Sequence, residues 1–421
     1  MSSLVVRNAL FTTFALVPAL VVSTLGACST DDGNDLHGPH IGDLPRRDAE
    51  SIDGKVVLPD GAIVDPESDG GEEGEAAAPC ANGTVAVLAG DDGSLAGATQ
   101  EKNGGWVVSS IAGGAARSRP ALVAFGSGFL GVTHGAGDVL QSTTWAGGSW
   151  TGATTIGRDG VKGAPSLAVA GASAHVVYAA GDGTERYFFH GVHGGAGWDE
   201  ATAEVKTADD QSYGTVSAGL AASGSEVVFA ENGTDNGLYV RSFGTQWSPA
   251  SAVFGAGTVG GETSATPEIV AVEGGLDFVL VYSEKTTRRL SFATRDATSK
   301  AWTNGGNVHM LATTDERPSL ARIDASTLLL AYRGQDGNAY YARGTIGPQG
   351  VTWTPASPIG GGDAFAVDGA PVVARGVCGD DAVFAHASGG TVRITRLRGD
   401  TWSGPETIPG LSGNRVAIAT R

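Results

Sequence analysis

Basic residues are scarce in this sequence. The 421 residues include 27 Lys and Arg against 45 Asp and Glu, so the formal net charge is −18. A chain with this charge repels phosphate backbones, which argues against nucleic-acid partners. Charged residues of either sign make up only 17% of the chain, and this argues against a coiled coil and against disorder over the whole length. Apolar residues, at 41%, are sufficient for a sizeable core.

Catalytic and metal-binding signatures are also missing. The sequence contains no HExxH, no GxSxG and no Walker loop, and its three cysteines form no zinc-type pair. His190 and His193 are three residues apart in a predicted strand, which places them on opposite faces, and we interpret them as a solvated pair at a strand end. We therefore predict no metal and no cofactor, and we favour a non-enzymatic protein.

The N-terminal residues have the layout of a secretory signal. Arg7 precedes an apolar run from Ala9 to Val22, and Leu25-Gly26-Ala27-Cys28 follows. This tetrapeptide resembles a bacterial lipobox, which implies a signal peptide over residues 1–27 and lipidation of Cys28. The expected location is the cell envelope, with the outer membrane or cell surface favoured and the lipid as the only membrane contact. The alternative is a secreted protein with a chance cysteine.

Residues 28–79 have the composition of a tether. Residues 29–79 hold 14 acidic and 3 basic side chains and no aromatic residue. Such a segment buries too little apolar surface to offset the entropy of the chain, so the sequence predicts a disordered acidic spacer. The alternative is a calcium-binding tail, although the spacing of the carboxylates lacks an EF-hand loop.

Tryptophan marks an internal repeat across residues 80–421. Seven of the eight Trp recur at spacings of 44, 48, 49, 55, 51 and 49 residues, and they are Trp106, Trp150, Trp198, Trp247, Trp302, Trp353 and Trp402. Because the Trp recurs in every unit, we favour a packing role for it over sugar stacking. Trp145 departs from the repeat and is the aromatic residue least explained by packing.

Each repeat contains four short strand patterns, which is typical of a propeller blade. Asp92-Gly93, Asp182-Gly183, Asn236-Gly237 and Asp336-Gly337 are typical hairpin turns. The first unit lacks its opening strand, and Arg415-Val-Ala-Ile-Ala supplies a matching one at the other end. The sequence therefore predicts an all-β, seven-bladed propeller over residues 80–421, with four antiparallel strands per blade, closed by the C-terminal strand. The alternative is an open array of β-sandwiches.

Two cysteines occupy equivalent positions in the first and last blades. Cys80 and Cys378 each stand shortly before a second strand, and these blades are neighbours in a closed ring. We predict a disulfide between them, which an oxidising compartment would preserve. The alternative is two buried thiols.

One repeat carries a family resemblance. The runs 331–343, 351–362 and 370–374 resemble a unit of the seven-bladed propeller lectins of the fucose-binding kind. The resemblance implies glycan partners held between adjacent blades by Trp, Tyr and Arg side chains. It assigns Tyr340, Arg343 and Trp353 to ligand binding, and we add Trp145 because packing does not account for it. We expect a monomer.

Two other functions stay open. The run from Thr294 to Trp302 is similar to the Asp-box turn of sialidase-like propellers, which use three arginines, a tyrosine and a glutamate. The matching catalytic candidates at the starts of inner strands are Arg119, Tyr213, Glu268 and Arg317. The other possibility is a passive scaffold that docks a second envelope protein.

Overall fold

The structure is a computed structural model, and it describes specific parts of the chain. These are residues 83–100, 104–182, 187–195, 197–199, 205, 217–254, 262–348 and 350–421, together with the backbone of 51–52, 55–57, 63–64 and 203–204. The predicted signal peptide, Cys28, Cys80 and Tyr213 lie outside the described residues.

The chain divides into two units, residues 1–74 and 75–421. In the first unit, three short strands form an antiparallel sheet in the order β1-β2-β3. Their bounds are Ser51–Ile52 (β1), Lys55–Val57 (β2) and Ile63–Val64 (β3). The composition of the segment did not predict these strands.

Within its described residues, the second unit contains seven antiparallel sheets, which makes it a seven-bladed propeller. Each sheet has a path of four strands in simple order, and in four of the sheets a fifth strand pairs beside that path. Blade 1 contains β4 (Val85–Gly90), β5 (Leu95–Gln100), β6 (Trp106–Ser110) and β35 (Arg415–Thr420). Blade 2 contains β7 (Ala121–Phe125), β8 (Gly128–His134), β9 (Val139–Ala146) and β10 (Ser149–Trp150), with β11 (Thr154–Asp159) beside β9. Blade 3 contains β12 (Ser166–Ala170), β13 (Ser173–Ala180), β14 (Tyr187–Gly194) and β15 (Gly197–Trp198), with β16 (Ala203–Glu204) beside β14.

The remaining blades follow the same order. Blade 4 contains β17 (Gly219–Ser223), β18 (Glu226–Asn232), β19 (Leu238–Phe243) and β20 (Ser251–Ala252). Blade 5 contains β21 (Glu268–Ala271), β22 (Leu276–Ser283), β23 (Leu290–Asp296) and β24 (Trp302–Asn307). Blade 6 contains β25 (Ser319–Arg322), β26 (Thr327–Arg333), β27 (Ala339–Gly347), β28 (Gly350–Trp353) and β29 (Ser357–Pro358). Blade 7 contains β30 (Val372–Arg375), β31 (Ala382–Ser388), β32 (Thr391–Arg398), β33 (Thr401–Trp402) and β34 (Glu406–Ser412).

The predicted closure of the ring is confirmed. β35 pairs antiparallel with β4 from Arg415 opposite Gly90 to Thr420 opposite Val85. The last strand of the described chain is therefore the inner strand of the first blade. This pairing leaves β4 without an open edge, where other chains could otherwise add.

The hydrophobic core lies between the blades. Seven clusters of buried side chains each join two neighbouring blades around the ring. Every residue of the second strand β4 is buried, because each of its faces packs against a different neighbouring blade. This explains why the second strands have continuous apolar runs rather than alternation.

The repeated Trp residues pack against these clusters, as the sequence predicts. Trp198, for example, packs against the cluster between blades 2 and 3, and Trp402 against the one between blades 6 and 7. Gly97 of blade 1 makes room for Trp150 of blade 2, since a Cβ at Gly97 would lie 2.3 Å from the indole Nε1. A side chain at this position would therefore displace the indole.

The predicted hairpin turns are only partly of the expected kind. Asn236 has a φ of 67° and Gly337 a φ of 83°, as tight turns require. Gly93 has no positive φ; instead the Asp91 Oδ1 accepts hydrogen bonds from the backbone of Gly93 and Ser94 at 3.0 Å. That turn is therefore organised by a side chain rather than by glycine conformation.

Cys378, just before β31, takes part in a disulfide bond. Its pairing with Cys80 stays a prediction, because Cys80 lies outside the described residues. Within the described parts of the chain, no helix has the length and apolar character needed to cross a membrane.

Candidate functional site

Three of the side chains predicted at the starts of inner strands meet at one end of the central channel. The Arg317 Nε donates a hydrogen bond to the Glu268 Oε2 at 2.5 Å. The Arg119 Nη1 donates to the backbone oxygen of Pro318 at 3.2 Å, so Arg119 of blade 2 reaches blade 6. A cavity of about 150 Å³ is lined by Arg119, Glu268 and Arg317 together with apolar side chains of the inner strands.

This arrangement contains part of the set that the sialidase resemblance implies. Two arginines, Arg119 and Arg317, line the cavity, where that family uses three. The Glu268 carboxylate is already paired with Arg317, and Tyr213 lies outside the described residues. The described part of the channel therefore contains a charged cavity, without the full catalytic set.

A second site, which the sequence analysis did not predict, lies between blades 2 and 3. It is a cleft of about 480 Å³, within the size range of ligand sites. Most of its wall consists of hydroxyl side chains beside one indole and one imidazole. The lining residues are Ser142, Thr143, Thr144, Thr151, Thr154, Thr155, Ile156, His193, Gly197, Trp198 and Asp199.

The indole of Trp198 is held in a defined orientation in this cleft. Its Nε1 donates a hydrogen bond to the Ser142 Oγ at 3.0 Å, across the boundary between the two blades. The His193 ring meets the indole edge to face, with centroids 5.2 Å apart and planes at 82°. Burial lowers the pKa of His193, which keeps the imidazole neutral at pH 7.

The hydroxyl groups of the blade 2 wall are linked to one another. The Thr143 Oγ1 donates to the backbone oxygen of Thr151 at 2.7 Å, and the backbone N–H of Thr144 donates to the Thr151 Oγ1 at 2.9 Å. Thr154 and Thr155 are exposed. The Thr154 Oγ1 donates to the backbone oxygen of Ser142 at 3.4 Å, so the wall offers several hydroxyl donors and acceptors, most of them held by hydrogen bonds.

The four residues predicted to bind ligand do not come together. Trp145 packs against the cluster between blades 1 and 2, with its ring 5.7 Å from that of Phe129. Trp353 packs between blades 5 and 6. Tyr340 donates a hydrogen bond to the Asp336 Oδ2 at 2.6 Å and so fixes a hairpin turn.

Arg343, the fourth of these residues, connects two blades. Its Nη2 donates to the backbone oxygen of Gly399 at 3.0 Å, and its Nη1 lies 3.7 Å from the Asp400 Oδ1. Arg343 of blade 6 thus contacts the turn between β32 and β33 of blade 7. All four residues make structural contacts, and none of them lines either of the two cavities described above.

His190 and His193 lie on opposite faces of β14, as predicted, but the solvated environment expected for His190 is wrong. His190 is buried between blades 3 and 4, where its Nε2 lies 3.0 Å from the His175 Nδ1 and its ring meets Trp247 edge to face. His193 packs on the other side against Phe125. Within the described residues, no group of three or more His, Cys, Asp or Glu side chains could hold a metal ion.

Buried histidines predict a loss of stability in mild acid. Burial, with the charge of His175, lowers the pKa of His190 to about 3, and burial, with Arg393, lowers that of His386 to about 4. The unfolded state binds these protons below about pH 6.5, so it holds more protons than the folded state from there down to pH 3–4. The free energy of unfolding should fall by up to about 1.4 kcal/mol per pH unit per histidine in that window.

Denaturant titrations at pH 7, 6 and 5 measure the slope of the free energy of unfolding against pH. His386→Leu should reduce it by about 1.4 kcal/mol per pH unit. Phe365→Leu is the matched control, because its ring lies 4.7 Å from that of His386 but carries no titratable group. An equal slope in His386→Leu and the wild-type chain would contradict the prediction.

Comparison with known proteins identifies the fold alone. No protein-family model and no curated protein sequence matches this chain. It is similar to the structure of a putative 6-phosphogluconolactonase from Bacteroides uniformis, with a TM-score of 0.50 and 12% identity, covering 80% of this chain and 99% of that one. It is also similar to AofleA from Arthrobotrys oligospora (TM-score 0.46, 13% identity, 72% and 89% covered) and to the fucose-specific lectin from Aleuria aurantia (0.47, 15%, 69% and 95%).

Proposed function

We propose that this chain is a recognition protein that binds neutral glycans in the cleft between blades 2 and 3. The observation that carries the proposal is the combination in one cleft of the Trp198 indole with a wall of Ser and Thr hydroxyls. A sugar ring presents an apolar face that stacks on an indole and hydroxyls that exchange hydrogen bonds with such a wall.

The charge of the cleft favours a neutral ligand. Among the described residues that line it there is no Lys or Arg, and Asp199 is the one carboxylate. An anionic ligand would find no cation there to pair with. A phosphate or an acidic sugar therefore fits this cleft less well than a neutral sugar.

The location of the protein is part of the same proposal. Lipidation at Cys28 would anchor the protein in the cell envelope. The acidic segment over residues 29–79 would hold the propeller away from that surface, where extracellular ligands can reach it. The support for this is the lipobox-like Leu25-Gly26-Ala27-Cys28 and the segment's composition.

A glycan array with the full chain tests the function, and Trp198→Ala tests the site. The wild-type chain should bind a related set of neutral glycans, and Trp198→Ala should weaken that binding about tenfold, as the upper range of aromatic stacking energies implies. The matched control is Trp302→Ala, which removes the repeat Trp of blade 5 from a similar inter-blade cluster. Equal binding by Trp198→Ala and Trp302→Ala would exclude this cleft as the site.

A docking scaffold is the second candidate, and one observation favours it. Met310 and Leu311, just after β24, are 70% and 80% exposed, far more than is usual for large apolar side chains. Such a pair can anchor a partner protein. If the chain binds no glycan on the array, the docking of a partner protein becomes the favoured function.

A further inference from the structure

We propose that β6, the outer strand of blade 1, pairs with β6 of a second copy of this chain, so that two propellers join edge to edge. In the described part of the chain, β6 is the last strand of its sheet and has no strand on its outer side. The proposal concerns the rim of the ring and does not depend on glycan binding in the cleft between blades 2 and 3. It replaces the monomer expected from the sequence.

The outer edges of the other six blades are interrupted. In blade 4 the outer strand has two residues, and in blades 3 and 6 the outer edge is divided between two short strands. In blades 2, 5 and 7 a register shift interrupts the pairing of the longer outer strands. Short or irregular edges of this kind hinder the addition of a foreign strand. Among the outer strands of the described residues, β6 alone exceeds four residues and pairs without a register shift.

The sequence of β6 also lacks the residues that guard an edge. Its five residues, Trp-Val-Val-Ser-Ser, include no charged side chain and no proline. Across residues 83–116 the sequence has only four charged residues, Asp91, Asp92, Glu101 and Lys102, and the last two cancel each other. Although the whole chain has a net charge of −18, two copies can therefore approach along this edge with little local repulsion.

The backbone of β6 presents its free hydrogen-bonding groups in a self-complementary pattern. The N–H of Ile111, just after the strand, donates to the backbone oxygen of Leu95, which makes these two residues a hydrogen-bonded pair of the ladder. Because such pairs alternate with non-bonded ones, the N–H and C=O groups of Trp106, Val108 and Ser110 point away from β5. An antiparallel second copy centred on Val108 would place Trp106 opposite Ser110 of that copy and exchange about six hydrogen bonds.

The side chains of β6 are compatible with this register. Directly opposite residues of an antiparallel pair lie on the same face, so Val107 of each copy would face Ser109 of the other. Val107 is 37% exposed in the single chain, and the second copy would cover it. A two-fold axis through Val108 gives both copies the same contacts, which is the usual symmetry of a homodimer. One strand pair is a small interface, so the dimer should be weak and depend on concentration.

Sedimentation velocity of the full chain over a series of concentrations tests the proposal. The wild-type chain should form dimers reversibly as its concentration rises. Val108→Pro should weaken the dimer about tenfold or more, because it removes one outward N–H from each copy and with it two hydrogen bonds between them. That N–H makes no bond to β5, so the variant should keep its fold, which circular dichroism measures.

Two double variants test the register. Val107→Glu with Ser109→Glu places carboxylates opposite each other at both contacts and should abolish the dimer. Val107→Glu with Ser109→Lys is the matched control, because it changes the same positions but sets opposite charges against each other, and it should restore the dimer. A wild-type chain that stays monomeric at every concentration, or equal association by the two double variants, would overturn the proposal.

Discussion

Deletion of residues 415–421 is expected to unfold the propeller. The deletion removes β35, whose six residues pair with β4, and it uncovers the inner side of blade 1. Val416 and Ile418 are 3% and 8% exposed, and burial of two such side chains stabilises the fold by about 3–6 kcal/mol. With the lost backbone hydrogen bonds, the effect approaches the whole stability of a typical domain, which is about 5–15 kcal/mol.

Far-ultraviolet circular dichroism during heating measures this outcome. The deleted chain should lose the cooperative transition of the full chain. Deletion of Arg421 alone is the control, because it removes two backbone hydrogen bonds with Thr84 and the side-chain hydrogen bond to the backbone oxygen of Ser127, and it should cost about 1–4 kcal/mol. A cooperative transition at an unchanged temperature in the longer deletion would show that the ring does not depend on its closure.

The second large effect is expected at Arg295, which joins blades 4 and 5. Its Nη2 lies 2.7 Å from carboxylate oxygens of both Glu226 and Asp277, and its guanidinium lies over the Phe278 ring at 4.6 Å. Arg295 and Asp277 are 3% and 6% exposed. Arg295→Met leaves both carboxylates without this partner, and breaking a buried pair typically destabilises a protein by about 3–5 kcal/mol.

The pH dependence distinguishes lost charge pairing from lost packing. Burial alone raises the pKa of Asp277, but hydrogen bonds from Arg295 and Lys300 outweigh burial and lower it. In the wild-type chain the pair therefore stabilises the fold above about pH 4, and that contribution is lost as the carboxylate is protonated. In Arg295→Met burial prevails, so protonation relieves the unpaired charge, and the stability difference between the two chains should narrow from pH 7 to pH 4.

Lys300→Met is the matched control for this experiment. Lys300 contacts the same Asp277 Oδ2 at 2.7 Å, but half of its side chain is exposed, so its loss should cost less than about 1 kcal/mol. Unfolding titrations with guanidinium chloride at pH 7 and pH 4 measure the free energy of unfolding of both variants. Equal losses in Arg295→Met and Lys300→Met would contradict the argument from burial.

The repeat made the fold predictable from the sequence, because the same strand pattern appears in every blade and the ends of the repeat are complementary. The meeting of Arg119, Glu268 and Arg317 was predictable for the same reason, since the starts of inner strands converge on one channel. The cleft was not predicted, although the hydroxyl residues between Ser142 and Thr155 were a signal for it. Trp198 and the hydroxyl wall belong to different blades. Whether they face each other depends on how far one blade is rotated relative to the next.

Packing decided the roles of the other aromatic residues. Trp145 departs from the repeat, yet it contacts the same inter-blade cluster as Trp150. Sequence spacing could not show this, because the face to which a strand residue points depends on register with a neighbouring blade. The ion pair between Arg295 and Glu226 could not be predicted for the same reason, because it joins side chains 69 residues apart.

The pairing of β35 with β4 also fixes an order of events during synthesis. β4 leaves the ribosome early, but its inner neighbour exists only once residues 415–420 have been added. Until then the first blade has an unpaired edge of six residues, and the ring stays open. A chain that terminates early keeps the unpaired edge of β4 exposed, and chaperones and proteases can recognise such an edge. Pairing of residues 415–420 with β4 thus marks the step in synthesis at which the ring can close.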